Sequence, residues 1–224
     1  MPQTTPRRGG RAREAAVNDS RIFDAARAVF TRDPRAPVAE VAAAAGVGKS
    51  ALYRRYASKE LLLRAVAEDV TRRFVTLIEE AHDALDEGVG AGTVLLQFLT
   101  DVVDADLHAV LTATAGLFTP TPSDVRLSRA GAARGEQLVA RLHAGGALRA
   151  DATWNDLNDW VAAIGEVTSF APERIAPRRR RMVAALVGGL GSAALPLPAP
   201  APAPVDYWPP GLPGFADRDD VPVD

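Results

Sequence analysis

The stretch Val38-Ala39-Glu40-Val41-Ala42-Ala43-Ala44-Ala45-Gly46-Val47-Gly48-Lys49-Ser50-Ala51-Leu52-Tyr53-Arg54-Arg55-Tyr56 decides how this chain folds. Val38, Val41, Ala42 and Ala45 recur at i, i+3, i+4 and i+7, the spacing of one face of a short helix. Gly46 follows, the residue type that ends a helix in the left-handed conformation without steric cost. A second short helix begins near Gly48 and reaches about Tyr56. Val47, Leu52 and Tyr56 give it a buried edge, leaving Gly48, Lys49, Ser50, Ala51, Tyr53 and Arg54 outside. The small residues Ala42, Ala43 and Ala45 let the two helices approach closely. A short helix, a tight turn and a second helix with one buried and one exposed edge make a helix-turn-helix. Short side chains at the start of the second helix let its backbone press against DNA, with Lys49, Tyr53 and Arg54 in reach of phosphate oxygens.

Outward from this stretch the pattern stays helical. Residues 1–17 are polar and carry Gly and Arg, the composition of a disordered basic arm. Asn18 or Asp19 is placed to cap a helix whose inner face is Ile22, Ala26, Val29 and Phe30. Asp33-Pro34-Arg35-Ala36-Pro37 breaks it, and Pro37 suits the first turn of the next helix. Ser58 caps a fourth helix with Leu62, Val66, Val70, Phe74, Leu77 and Ile78 as its stripe. After Gly88-Val89-Gly90 come two apolar helices, 94–103 and 107–118, then a polar one over about 123–143 closed by Gly145-Gly146. The eighth helix starts near Thr153. One face holds Trp154, Leu157, Val161, Ile164 and Thr168, another Trp160, Ala163 and Val167, so cover on both sides is expected. Pro172 and Pro177 separate it from a last helix bearing Met182, Val183, Leu186, Val187 and Leu190. Nine of the seventeen prolines fall from Pro196 onward, which reads as a disordered polyproline-like tail. The expected fold is all-α with about nine helices: an arm (1–17), a three-helix N-terminal helix-turn-helix domain (18–64), a larger helical domain (65–194) and the tail (195–224).

Of the 224 residues, 47% are hydrophobic, enough for a buried core. Cysteine is absent, which excludes disulfides, thiolate metal sites and cysteine nucleophiles. No apolar segment resembles a signal peptide or approaches membrane-spanning length, so a cytoplasmic chain, nucleoid-associated when on DNA, is expected. The net charge of −2 conceals a division. Residues 1–75 hold fifteen bases against eight acids, a net of +7; the rest holds eleven bases against twenty acids, a net of −9. A basic head on an acidic body suits one end approaching a polyanion.

The run Ala45-Gly46-Val47-Gly48-Lys49-Ser50-Ala51-Leu52-Tyr53-Arg54-Arg55-Tyr56-Ala57-Ser58-Lys59-Glu60-Leu61-Leu62 resembles the signature of the TetR family. Its elements are AGV, a small residue, a basic or small residue, LY, two polar residues, an aromatic, then S-K-E-x-L. Ile22-Phe23-Asp24-Ala25-Ala26 and Phe30 match the family's first helix, so the resemblance covers about residues 18–66. It implies a homodimer on a palindromic double-stranded operator, usually a repressor released by a ligand. Lys49, Tyr53 and Lys59 then hold positions that contact phosphate, and Gly48, Ser50, Ala51 and Arg54 lie toward bases or backbone; Arg55 completes the expected DNA-binding set. Two departures stand out. Ala36-Pro37 replaces the usual Thr before the second helix, and Asp33-Pro34 shortens the preceding turn. Farther on, Gly146-Ala147-Leu148-Arg149-Ala150-Asp151, the Trp-bearing helix and the Arg-rich last helix are similar to SbtR-like members. This implies a dimer bundle from the last two helices and a largely apolar small-molecule effector enclosed by the preceding ones. An activator, a ligand-independent regulator, or a helical enzyme or carrier that keeps the head are the alternatives.

Ala45-Gly46-Val47-Gly48-Lys49-Ser50 also approximates a phosphate-binding loop, but Ala43 stands where that pattern needs Gly, and no strand precedes it. Arg7, Arg8, Arg11 and Arg13 are an arm for a neighbouring minor groove or a solvated tail. The run 178–181, four arginines, covers most of a helical turn and reads as a solvated face. His82, His108 and His143 stand apart from one another, so no metal site and no cofactor is expected. No Ser/His/Asp or paired-carboxylate arrangement anchors an enzyme. Among the apolar residues, Phe98, Val102, His108, Phe118 and Trp160 are the expected lining of an effector pocket.

Overall fold

One helix of 28 residues buries more side chains than any other described helix. In the computed structural model, which describes residues 8–167, 171–190 and 197, that helix is α4 (Lys59–Asp86), and it buries Leu62, Leu63, Val66, Ala67, Val70, Leu77, Ile78, Ala81 and His82. Each fully buried Leu, Ile or Val side chain contributes roughly 1.5–3 kcal/mol. Before it come α1 (Arg8–Arg32), α2 (Val38–Ala45) and α3 (Lys49–Arg55). After it come α5 (Ala91–Asp104), α6 (Leu107–Thr114), α7 (Pro122–Ala144), α8 (Trp154–Gly165) and α9 (Ile175–Leu190), with a 3₁₀ turn at Pro172–Arg174. The described residues hold these nine α-helices and no strand.

Helix boundaries follow local chemistry. Gly46 ends α2 with φ 66°, and its N–H bonds back to Ala43. The Ser58 hydroxyl accepts the Leu61 N–H and starts α4. Thr121–Asp124 and Thr153–Asp156 form capping boxes at α7 and α8, each satisfying orphan donors on both sides. Pro122 stands in the first turn of α7, where its missing N–H costs nothing.

Four expectations need correction. The first helix begins at Arg8, so neither Asn18 nor Asp19 caps it; Ala and Arg dominate 11–16 and favour continuation. Residues 8–17 are helical, and residues 1–7, with Thr168 and the tail apart from Leu197, lie outside the described residues. Pro37 is the N-cap of α2 rather than inside its first turn, and it supplies no side-chain cap. Pro177 sits third in α9 instead of before it, at a position whose N–H has no intrahelical partner anyway. The Arg run at 178–181 is not wholly solvated. Arg179, its side chain 13% exposed, pairs with Asp106 at 2.9 Å and donates to the Gly165 carbonyl at the end of α8; Arg180 pairs with Asp104. Successive residues turn about 100° round a helix, so consecutive arginines reach different surroundings.

α4 passes through the expected 64/65 boundary without a break. Arg27 of α1 pairs with Asp69 of α4 at 2.7 Å, and α6 packs on both helices. Glycine permits the close approach of α7: a Cβ on Gly135 would stand 2.3 Å from the Trp154 ring. Overpacking of that kind costs about 1–3 kcal/mol. Gly135→Ala is therefore expected to lower the melting temperature by several degrees, while Gly92→Ala, with nothing within 4 Å, leaves it unchanged or raises it. A thermal melt of both variants checks this.

Candidate functional site

The head presents an exposed edge. Leu52 is fully buried and anchors α3, with Val47 and Tyr56 partly buried against the same core. Gly48, Lys49, Ser50, Ala51, Tyr53 and Arg54 are exposed together along the other side. Gly48 is the N-cap of α3 in an extended conformation, and a Cβ there would meet nothing within 4 Å. The Lys49 ammonium lies 5.9 Å from the centre of the Tyr53 ring, which orients both toward one surface. The other two residues of the expected set also make contacts within the head. Arg55 is exposed but ion-paired with Asp19 of α1, so it braces the head. Lys59 is half-buried, its ammonium 5.4 Å from the centre of the buried Phe30 ring. Of the small residues expected between the helices, Ala42 and Ala45 are buried and Ala43 is exposed.

Behind the head, α4, α6, α7 and α8 enclose a cavity of about 660 Å³, a volume typical of small-molecule sites. Val102, His108 and Phe118 stand in its wall, as do Phe74 and Trp154. Phe98 does not. It is core, its ring 6.2 Å from those of Phe74 and Trp154, which take the wall positions themselves. Trp160 is not in the wall either, because it lies about 140° round α8 from the cavity-facing Asn155. The residues missed in the sequence include those of α4 (Arg64, Glu68, Thr71), those of α7 (Asp124, Ser128, Glu136) and the polar stripe of α8. That stripe, Asn155, Asn158, Asp159, Ala162 and Glu166, follows i, i+3, i+4, i+7 and i+11 and is readable as a third face between the two apolar ones.

The histidines have separate surroundings. His82 is buried, bonded through Nε2 to the Arg134 carbonyl and through Nδ1 to Arg141. His143 Nε2 bonds to the Ala152 carbonyl. His108 faces the cavity, and burial pushes its pKa below the ordinary imidazole value although Asp159 and Glu166 pull it up. Among the described residues no three His, Cys, Asp or Glu side chains are grouped to hold a metal ion, and no helix is long and apolar enough to cross a membrane.

The cavity and the head are joined. The Thr119 N–H, in the loop leaving α6, donates to Glu60 Oε1 at the start of α4 at 3.2 Å.

Residues 22–66 match the family described as bacterial regulatory proteins, tetR family. Among proteins with curated descriptions, none is significantly similar in sequence. Several solved structures share the fold. The TetR transcription regulatory protein from Mycobacterium vanbaalenii is 25% identical, with a TM-score of 0.55 over 80% of this chain and 98% of that one. LfrR from Mycobacterium smegmatis, solved in complex with proflavine, is 24% identical, with a TM-score of 0.56 over 83% and 99%. The TetR transcriptional regulator SCO0520 from Streptomyces coelicolor is 21% identical, with a TM-score of 0.55 over 78% and 99%.

The depressed pKa of His108 has a consequence for stability. Below an unfolded value near 6.5 the unfolded chain binds a proton that the folded chain refuses, so stability falls as pH drops through that value toward the folded one. His108→Asn is expected to flatten the fall in melting temperature between about pH 7.5 and pH 5.5. Parallel melts of both proteins measure it; identical pH profiles would contradict it.

Proposed function

We propose that the chain is a regulator of the tetR family, whose model matches residues 22–66, and that it acts as a homodimeric repressor, released from a palindromic operator by a small molecule. The observation that carries this reading is the continuity of α4. The same helix begins beside the DNA-facing edge, at Lys59 and Glu60, and forms the cavity wall from Arg64 to Val75. A ligand that favours one position of this helix over another changes operator affinity by its differential binding to the two states.

In this proposal residues 18–64 bind DNA, and 65–194 bind the effector and dimerise. Lys49, Tyr53 and Lys59 meet phosphate, while Gly48, Ser50, Ala51 and Arg54 approach bases or backbone. The small, open start of α3 favours close backbone docking with few long side chains reading bases. Dimerisation uses α8 and α9, whose remaining apolar residues include half-buried Trp160 and exposed Ala163 and Met182. Two such faces brought together in a pair of chains form a four-helix bundle. Val102, His108 and Phe118 contact the effector. No catalytic role is proposed, since the family and its structural neighbours are transcription regulators.

Genome-wide selection of DNA bound by the purified protein, followed by transcription with and without it, tests the assignment. Activation instead of repression at the selected sites would overturn it. On the selected DNA, Lys49→Ala is expected to weaken binding to all sequences alike and reduce the slope of log affinity against log salt by about 1. Gly48→Glu abolishes binding through bulk and charge. Unchanged mobility shifts for both would refute the placement of α3. Met182→Glu is expected to shift the dimer toward monomer in sedimentation, because it places a charge in an apolar interface.

A further inference from the structure

Acidic side chains stand beside the apolar walls of the cavity, and three of them, Glu136, Asp159 and Glu166, are exposed. Its lining includes five carboxylates, Glu68, Asp124, Glu136, Asp159 and Glu166, against one guanidinium, Arg64. Two of the five are already committed. Glu68 pairs with Arg72 at 2.6 Å, and Asp124 serves the capping box of α7. Glu136, Asp159 and Glu166 make no ion pair among the described residues. Asp159 and Glu166 lie seven residues apart, two turns of α8, and thus on one stripe. Burial lowers the pKa of His108 by more than Asp159 and Glu166 raise it.

The remainder of the wall is suited to a ring-bearing body. Phe74, Val102, Leu111, Phe118 and Trp154 supply apolar and aromatic surface. Aromatic faces attract a cation through the ring quadrupole, and the attraction strengthens when water is displaced. An anionic ligand of the same shape meets like charge at these carboxylates, and a neutral one gains nothing from them.

We propose that the cavity selects a lipophilic organic cation, its apolar body against Phe74, Phe118 and Trp154 and its charge directed to Asp159 and Glu166. This rests on the reading of the cavity as the effector site and names the chemical class of the effector. Among the described residues of the wall Arg64 is the one guanidinium, and Glu68 stands one turn farther along the same helix. The positive centre is accordingly placed toward α8, away from α4.

The test uses tetraphenylphosphonium and tetraphenylborate, two ions of nearly the same shape and opposite charge, titrated calorimetrically into the full chain. The cation is expected to bind about tenfold or more tightly than the anion at ordinary ionic strength. The double variant Asp159→Asn with Glu166→Gln is expected to remove most of that preference while keeping its melting temperature. Should the double variant not fold, Glu166→Gln alone reduces the preference by a smaller factor. Equal binding of the two ions, a preference for the anion, binding of neither, or a preference unchanged in the variants overturns the proposal. Release from the selected DNA is read separately by fluorescence anisotropy. Tight, charge-selective binding of the cation without any loss of DNA affinity supports the charge assignment and refutes ligand-driven release.

Discussion

The rest of the molecule depends on the burial of a single stripe along α4. Leu62, Leu63, Val66 and Val70 are covered by the head and by α6, and Leu77 and Ile78 by the packing of α5 and α7 farther along. Because the stripe is continuous, the head and the body share one core rather than meeting through a linker. Phe30 of α1 is fully buried at the head end, with the Lys59 ammonium over its ring. A charge at the first residue of α4 is thereby tied to the apolar contact that orients the head. A displacement of α4 at the cavity therefore has a mechanical path to α3, with Glu60 and Thr119 as a second tie.

Polar interactions refine what the stripe establishes. Capping boxes at Thr121 and Thr153 define where α7 and α8 begin, and their register determines which side chains face the cavity. Arg179 joins three elements by bonding to Asp106 before α6 and to the end of α8 from its own place on α9. Asp106 holds a left-handed conformation, φ 52°, and is the one non-glycine residue to do so among those described. The strain of about 1 kcal/mol or more is offset locally by that ion pair. The turn between α5 and α6 is thus set by a residue 73 positions away, from the far end of the fold.

The same separation explains the uneven legibility of the two sites. The exposed edge from Gly48 to Arg54 spans seven consecutive residues, so it was readable from spacing. The ion pair of Arg55 was not, because its partner, Asp19, is 36 residues upstream. The cavity wall comes from several helices spread over a hundred residues. Apolar character alone selected Phe98 and Trp160 along with Val102, His108 and Phe118. It could not rank Phe98 behind Trp154, whose ring fits against α7 only because Gly135 has no Cβ. The polar stripe of α8 was present in the sequence at helical spacing, but an Asn, Asp or Glu on a helix is ordinarily solvent-facing.

By itself the sequence determined the all-α class, the helix-turn-helix with its Gly46 turn and Gly48-to-Arg54 edge, the cap at Ser58 and the start of the eighth helix near Thr153. These depend on neighbours three or four residues apart, and local periodicity carries them. The tertiary structure alone decided that Arg179 turns inward and that, among the described residues, Glu136, Asp159 and Glu166 stand beside an aromatic wall without an ion pair. Each of these outcomes rests on packing between segments distant in the chain, where burial and charge are set by what arrives from elsewhere in the fold.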